Sequence, residues 1–159
     1  MIPAHVDLDG SPWPLLPTGV HEATLDEVES RFASNPRRRA QFRGLLAALT
    51  NLSSAGCRRA LLDGSFVTAK PFPGDFDACW DPTGVDPTLL DPVLLTFENG
   101  RAAQKAKYGG ELFPSTVSAN QAGSTFVEFF QVDSFTGATK GIVAIDLSTD
   151  PMLHPTVSE

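Results

Sequence analysis

Cysteine and histidine are scarce in this chain. Its two cysteines, Cys57 and Cys79, form no C-x-x-C pair and stand apart from the three histidines, His5, His21 and His154, so there is no zinc signature. The two thiols could make one disulfide, but the acidic, proline-rich residues 1–22 do not read as a secretory leader. A reduced, cytoplasmic protein is expected. Apolar runs are short as well: none approaches the roughly 20 residues of a membrane-crossing helix, and Phe42 to Leu52 is interrupted by Gly44 and Asn51. Positive charge is the third deficit. Twelve Lys and Arg against nineteen Asp and Glu leave a formal net charge of −7, which argues against a long nucleic-acid partner unless the basic residues gather on one face.

What is there is enough for one packed domain. The 159 residues are 42% hydrophobic and 19% charged, near the ordinary globular range. Four prolines and two glycines in the first twenty residues rule out a long helix or central strand there and suggest an arm over residues 1–22. Thr24 and Glu27 fit a capping box for a short helix from Leu25 to Phe32. Asn35 and Pro36 start a second helix with an apolar stripe of Phe42, Leu45, Leu46, Leu49 and Leu52, closed by Gly56. The run Arg37, Arg38, Arg39 with Arg43 reads as a solvated face of that helix, the alternative being contact with a phosphate or an acidic partner.

Beyond Gly56, Ala60 to Leu62 reads as a buried strand entering a turn at Asp63-Gly64-Ser65, and a second strand is expected at Asp75 to Trp80. Asp86-Pro87 begins a short helix carrying Leu89, Leu90, Val93 and Leu94, and Arg101 to Tyr108 reads as one or two helical turns. Thr125 to Val132 and Ile142 to Leu147 are strand-like, joined by a hairpin connection at Ser134 to Gly141. The domain proper is expected over residues 23–150, with 151–159 a loose tail.

Chemistry concentrates at Gly64-Ser65 and Asp75-Phe76-Asp77. Side chains two apart on a strand share a face, so Asp75 and Asp77 point together while Phe76 enters the core. With Cα atoms about 6.5 Å apart, two carboxylates repel by roughly 2–3 kcal/mol at an effective dielectric of about 20. Such a pair calls for a cation. Mg²⁺ suits it, because this ion binds one or two carboxylates together with substrate phosphates. Gly64 permits close backbone approach to a phosphate, and the Ser65 hydroxyl and amide can donate to it.

These elements resemble the signature of the DNA polymerase β-like nucleotidyltransferase superfamily: Gly-Ser after a hydrophobic strand, then acidic-hydrophobic-acidic. The phrases Leu16-Pro17-x-Gly19-x-His21, Asp63-Gly64-Ser65-Phe66-Val67-Thr68, Lys107-Tyr108-Gly109-Gly110-Glu111-Leu112-Phe113, Phe129-Phe130-Gln131 and Lys140-Gly141-Ile142-Val143 are similar to a small bacterial and phage family of nucleotidyltransferase-like proteins. The resemblance implies an α/β (α+β) fold with a small mixed β-sheet flanked by helices on one side. It also implies Mg²⁺ or Mn²⁺ as cofactor, a nucleoside triphosphate as substrate, and a third acidic residue on a later strand. Glu128, in Val127-Glu128-Phe129, is preferred for that role over Asp146, in Ile145-Asp146-Leu147. Asp75, Asp77 and Glu128 are then the catalytic and metal-binding residues, and Gly64, Ser65 and Lys140 hold the triphosphate.

The implied activity moves a nucleoside monophosphate to a hydroxyl of a small molecule, an RNA end or a partner protein, the last as in toxin–antitoxin or defence pairs. The alternative is a catalytically degenerate binding module of the same fold, an antitoxin or partner subunit. Lys70, Lys105 and Lys107 read individually as surface lysines, His21 as a structural hydrogen-bonding group, and Trp80 and Tyr108 as core aromatics.

Overall fold

A computed structural model of the chain describes residues 1–115 and 140–155. Among the described residues the protein is a mixed five-stranded sheet with three α-helices and two 3₁₀ turns. The order is β1 (Gly19–Glu22), α1 (Leu25–Phe32), α2 (Pro36–Ser54), β2 (Arg59–Asp63), a 3₁₀ turn (Ser65–Val67), β3 (Phe76–Trp80), a second 3₁₀ turn (Pro92–Leu95), α3 (Glu98–Tyr108), β4 (Gly110–Pro114) and β5 (Gly141–Asp146). Strands lie in the order β1-β5-β2-β3-β4; the outer pairs β1/β5 and β3/β4 are parallel, and β2 is antiparallel to both of its neighbours. The expected strand Thr125 to Val132, and all of the expected connection before Lys140, lie outside the described residues. No helix among those described is long and apolar enough to cross a membrane.

Local chemistry sets the helix starts as anticipated. The Thr24 hydroxyl accepts from Glu27 N and the Glu27 carboxylate from Thr24 N, completing the capping box. Asn35 accepts from Arg38 N ahead of Pro36. A further carboxylate joins the first cap: Asp150 is buried and accepts from Leu25 N, while His154 bonds the Leu147 carbonyl. The described part of the expected tail is therefore tied down as far as His154. The expected helix after Asp86 is replaced by turns and the 3₁₀ segment Pro92–Leu95, because Asp86 accepts from Thr88 N and Asp91 from Val93 N, each spending its oxygen on a local turn.

All three helices cover one face of the sheet. Leu25, Val28 and Phe32 of α1, Phe42, Leu45, Leu49 and Leu52 of α2, and Tyr108 of α3 pack with Ala60, Leu62, Phe76, Ala78, Trp80, Leu112, Val143 and Ile145. Leu61, Cys79, Ile142 and Ala144 form a smaller cluster on the other face. Both cysteines are free and buried. The stretch expected as an arm folds back on the domain: Leu15 and Leu16 are buried, and residues 19–22 supply the edge strand β1.

Helix α2 meets the end of α3 backbone to backbone. A Cβ at Gly44 would stand 1.7 Å from the Tyr108 carbonyl oxygen. Gly44→Ala should therefore lower stability by about 2–3 kcal/mol, although alanine gains about 1 kcal/mol in helix propensity. A urea midpoint at or above that of the wild type would show that the two segments do not approach so closely.

A candidate active site on the carboxylate face of the sheet

Strand parity decides which side chains meet here. Ala60, Leu62, Phe76, Ala78 and Leu112 point to the helices, so Asp63, Asp77 and Glu111 point to the opposite face. Register then aligns them. Asp63 is the antiparallel partner of Asp77, and Asp77 the parallel partner of Glu111. Three acidic side chains thus form a row across β2, β3 and β4, with neighbouring Cα atoms about 5 Å apart.

Cations flank the row at both ends. Lys140 Nζ lies 3.2 Å from Asp63 Oδ1, with both side chains nearly buried. Arg101 and Lys105 lie 3.3 and 3.0 Å from Glu111 Oε1. Arg101 reaches this position from a left-handed turn, with φ of 53° at Asn99, 66° at Gly100 and 62° at Arg101, and its guanidinium stands over the Phe113 ring. Asp77, in the middle, is in no ion pair among the described residues. Burial, and then the charges of Asp63, Glu111 and Asp75, push its pKa up to about 7, with Lys140 opposing. Cys79, one pleat along on the same face, has its thiol pushed up to about 12 by burial and by Asp63, which removes it as a nucleophile.

The turn after β2 is shaped to this carboxylate. Gly64 has φ of +77°, and a Cβ there would stand 2.2 Å from Asp77 Oδ2. Ser65 opens the 3₁₀ turn, and its carbonyl accepts from the Thr68 hydroxyl and amide. Arg38 holds the whole turn from beneath: its guanidinium donates to the carbonyls of Phe32, Ser65, Phe66, Thr68 and Lys70. The arginine run is thus a solvated face except at Arg38, which is 3% exposed. Arg37, Arg39 and Arg43 are exposed, and Arg37 also donates to Pro73 O and Gly74 O.

Five of the residues singled out from sequence come together at this end of the sheet. Gly64 touches Asp77, Ser65 follows it, Asp75 stands just before β3, and Lys140 joins through Asp63. Glu128 lies outside the described residues. Asp146 is elsewhere: it pairs in register with Arg59, at the end of β2 away from Asp63, and accepts from the Ser148 amide and hydroxyl, which lower its pKa. It is not part of the site. Lys105 and Lys107 are surface lysines that also pair, Lys105 with Glu111 and Lys107 with Asp91, and Lys70 stands 4.8 Å over the Trp13 ring. His21 is structural as read, with Nε2 2.6 Å from the Pro17 carbonyl. Trp80 and Tyr108 are buried, the tyrosine hydroxyl bonding Asp91, which together with burial raises its pKa.

Asp63 and Glu111 enter the sequence reading only within the turn and the quoted phrases, with no role in the site. A signal existed for each: Asp63 keeps the parity of Leu61 at a strand end, and Glu111-Leu112-Phe113 alternates straight after Gly109-Gly110. Among the described residues no group of three or more His, Cys, Asp or Glu is arranged to hold a metal ion. With Asp63 and Glu111 met by cations, Asp75 and Asp77 are the two hard oxygen donors left over. Two carboxylates are a donor set of the kind that Mg²⁺ accepts together with phosphate oxygens.

A family model described as a family of unknown function (DUF6932) matches residues 8–146. No curated protein and no solved structure matches the chain.

Proposed function

The chain belongs to the family of unknown function DUF6932, and for it we propose metal-dependent nucleotidyl transfer, from a nucleoside triphosphate to a hydroxyl of a small molecule, an RNA end or a partner protein. The observation that carries this reading is the packing of the Asp77 carboxylate directly against Gly64, with Asp75 two residues before it. A carboxylate whose pKa is pushed up to about 7 by burial and by its acidic neighbours gains most from a divalent cation, and the glycine beside it leaves the backbone open to a phosphate.

In this reading Asp75 and Asp77 hold Mg²⁺ or Mn²⁺, which when bound stabilises charge on the attacking and leaving oxygens at the α-phosphorus. Gly64 and Ser65 meet the triphosphate through backbone amides and the serine hydroxyl. Lys140, kept beside the row by Asp63, is available to its non-bridging oxygens. Glu128 is the third acidic residue. Among the described residues Glu111 is the nearest counterpart, with its charge met by Arg101 and Lys105. Two free, buried cysteines fit a reducing compartment such as the cytoplasm.

The test offers each α-labelled nucleoside triphosphate with Mg²⁺ or Mn²⁺ to the protein plus host lysate. Asp75→Ala/Asp77→Ala should lose labelling of the acceptor by on the order of a hundred-fold or more. No label from folded wild type under any condition would refute transfer and leave a binding module of the same fold.

A further inference from the structure

A groove of about 560 Å³ runs between α2 and the α3–β4 corner, on the helix side of Asp75. Its walls carry Arg37, Arg43, Lys105 and Lys107, four of the twelve basic residues in a chain of net charge −7, against Asp75 as the acidic residue on its lining. Lys105 and Lys107 are paired with Glu111 and Asp91, so among the described residues the positive charge of the groove that is in no ion pair comes from Arg37 and Arg43. Two of the arginines belong to the first half of α2, where the positive end of the helix adds to them. Arg43 is exposed and, among the described residues, in no ion pair. Gln41, 6% exposed, also lines the groove: its Nε2 donates to Pro73 O, and its Oε1 accepts no hydrogen bond, an uncommon state for a buried acceptor.

An exposed aromatic precedes the groove lining in the chain. Phe72 is 68% exposed, two residues before Gly74 of the groove lining. It is not on a slack loop: Asn35 donates to Pro71 O, Arg37 and Gln41 to Pro73 O, and Arg37 to Gly74 O. A large apolar ring held outward by four hydrogen bonds to its neighbours' carbonyls is a preorganised contact, since little freedom remains to be lost on binding.

We propose that this groove takes the phosphate backbone of a short single-stranded nucleic acid, with Phe72 as a stacking platform for one base. Basic groove and aromatic platform are the two elements such binding requires. The groove also adjoins the carboxylate row, because Asp75 lines it and Lys105 lines it while bonding Glu111. The strand is then the acceptor for transfer, a step that rests on the reading above, whereas the binding itself does not.

Anisotropy of a labelled eight-nucleotide single-stranded RNA, without divalent metal, tests binding apart from chemistry. Phe72→Ala should weaken it about ten-fold, and Arg43→Ala should weaken it and make the slope of log K against log salt shallower by about 0.7. Asp75→Ala/Asp77→Ala should bind at least as well as wild type, so a failure of transfer leaves this result standing. Tripolyphosphate should compete weakly and hexaglutamate hardly at all. No RNA binding at 50 mM salt, no loss in Phe72→Ala and Arg43→Ala, or equal competition by tripolyphosphate or hexaglutamate would overturn the proposal.

Discussion

Arg38→Met should unfold at a much lower urea concentration than wild type, with a loss of about 4 kcal/mol or more. The methionine fills most of the volume but donates nothing, so the carbonyls of Phe32, Phe66 and Thr68, bonded at 3.1, 2.7 and 2.8 Å, lose their donor where water does not replace it. Each buried acceptor left so costs about 1–3 kcal/mol, and the guanidinium over the Phe66 ring is lost as well. Set against the 5–15 kcal/mol typical of a domain, that is a large share. Burial lowers the Arg38 pKa without removing its charge, so the five bonds are charge-assisted. Arg38→Lys separates charge from geometry: a single ammonium cannot span carbonyls on α1 and around the Ser65 turn, and it should recover less than half of the loss. An unchanged midpoint in Arg38→Met would show that the turn is held by something else.

The opposite sign is expected at Asp77. Its pKa is about 7 in the folded protein against an ordinary 3.8, so between those values the folded state keeps a proton that the unfolded chain gives up. Stability therefore falls as pH rises from about 4 to about 7 and then levels, the folded protein having to carry an ill-placed charge. About three pKa units correspond to about 4 kcal/mol. Asp77→Asn, which cannot ionise, should be more stable than wild type by up to that amount at pH 7.5 in chelator, and equal to it near pH 4. Thermal melts across that range read the difference directly. Identical melts at pH 7.5 would mean that the row is better neutralised than its burial implies. A site residue whose removal stabilises the fold is one retained for function at the expense of stability.

The features that sequence conveys well here are those fixed within a few residues. Both helix caps, the apolar stripe of α2, the strand after Gly56 and the Gly64 turn depend on local spacing and were legible. Asp63 and Glu111 were not, because their membership in the row depends on the register of β2 against β3 and of β3 against β4, a property of strand partners far apart in the chain. Arg38 was misread for the same reason. Its neighbours in sequence are charged and exposed, and only the return of residues 65–70 onto α2 buries it. The helix expected after Asp86 failed on a local conflict, Asp86 and Asp91 each preferring to close a turn with the residue two ahead over capping a longer helix.

The strand order β1-β5-β2-β3-β4 has a further consequence, for the path of assembly. Among the described residues the first strand has the last one as its partner, Gly19 opposite Gly141 and Glu22 opposite Ala144. Closing that pairing brings together residues more than a hundred positions apart, the kind of non-local contact that slows folding. A nascent chain can build the β2-β3-β4 half and its helices early, while among the described residues Gly19–Glu22 pairs with β5 alone, so β1 stays unpaired and β2 lacks one neighbour until Gly141–Asp146 is made.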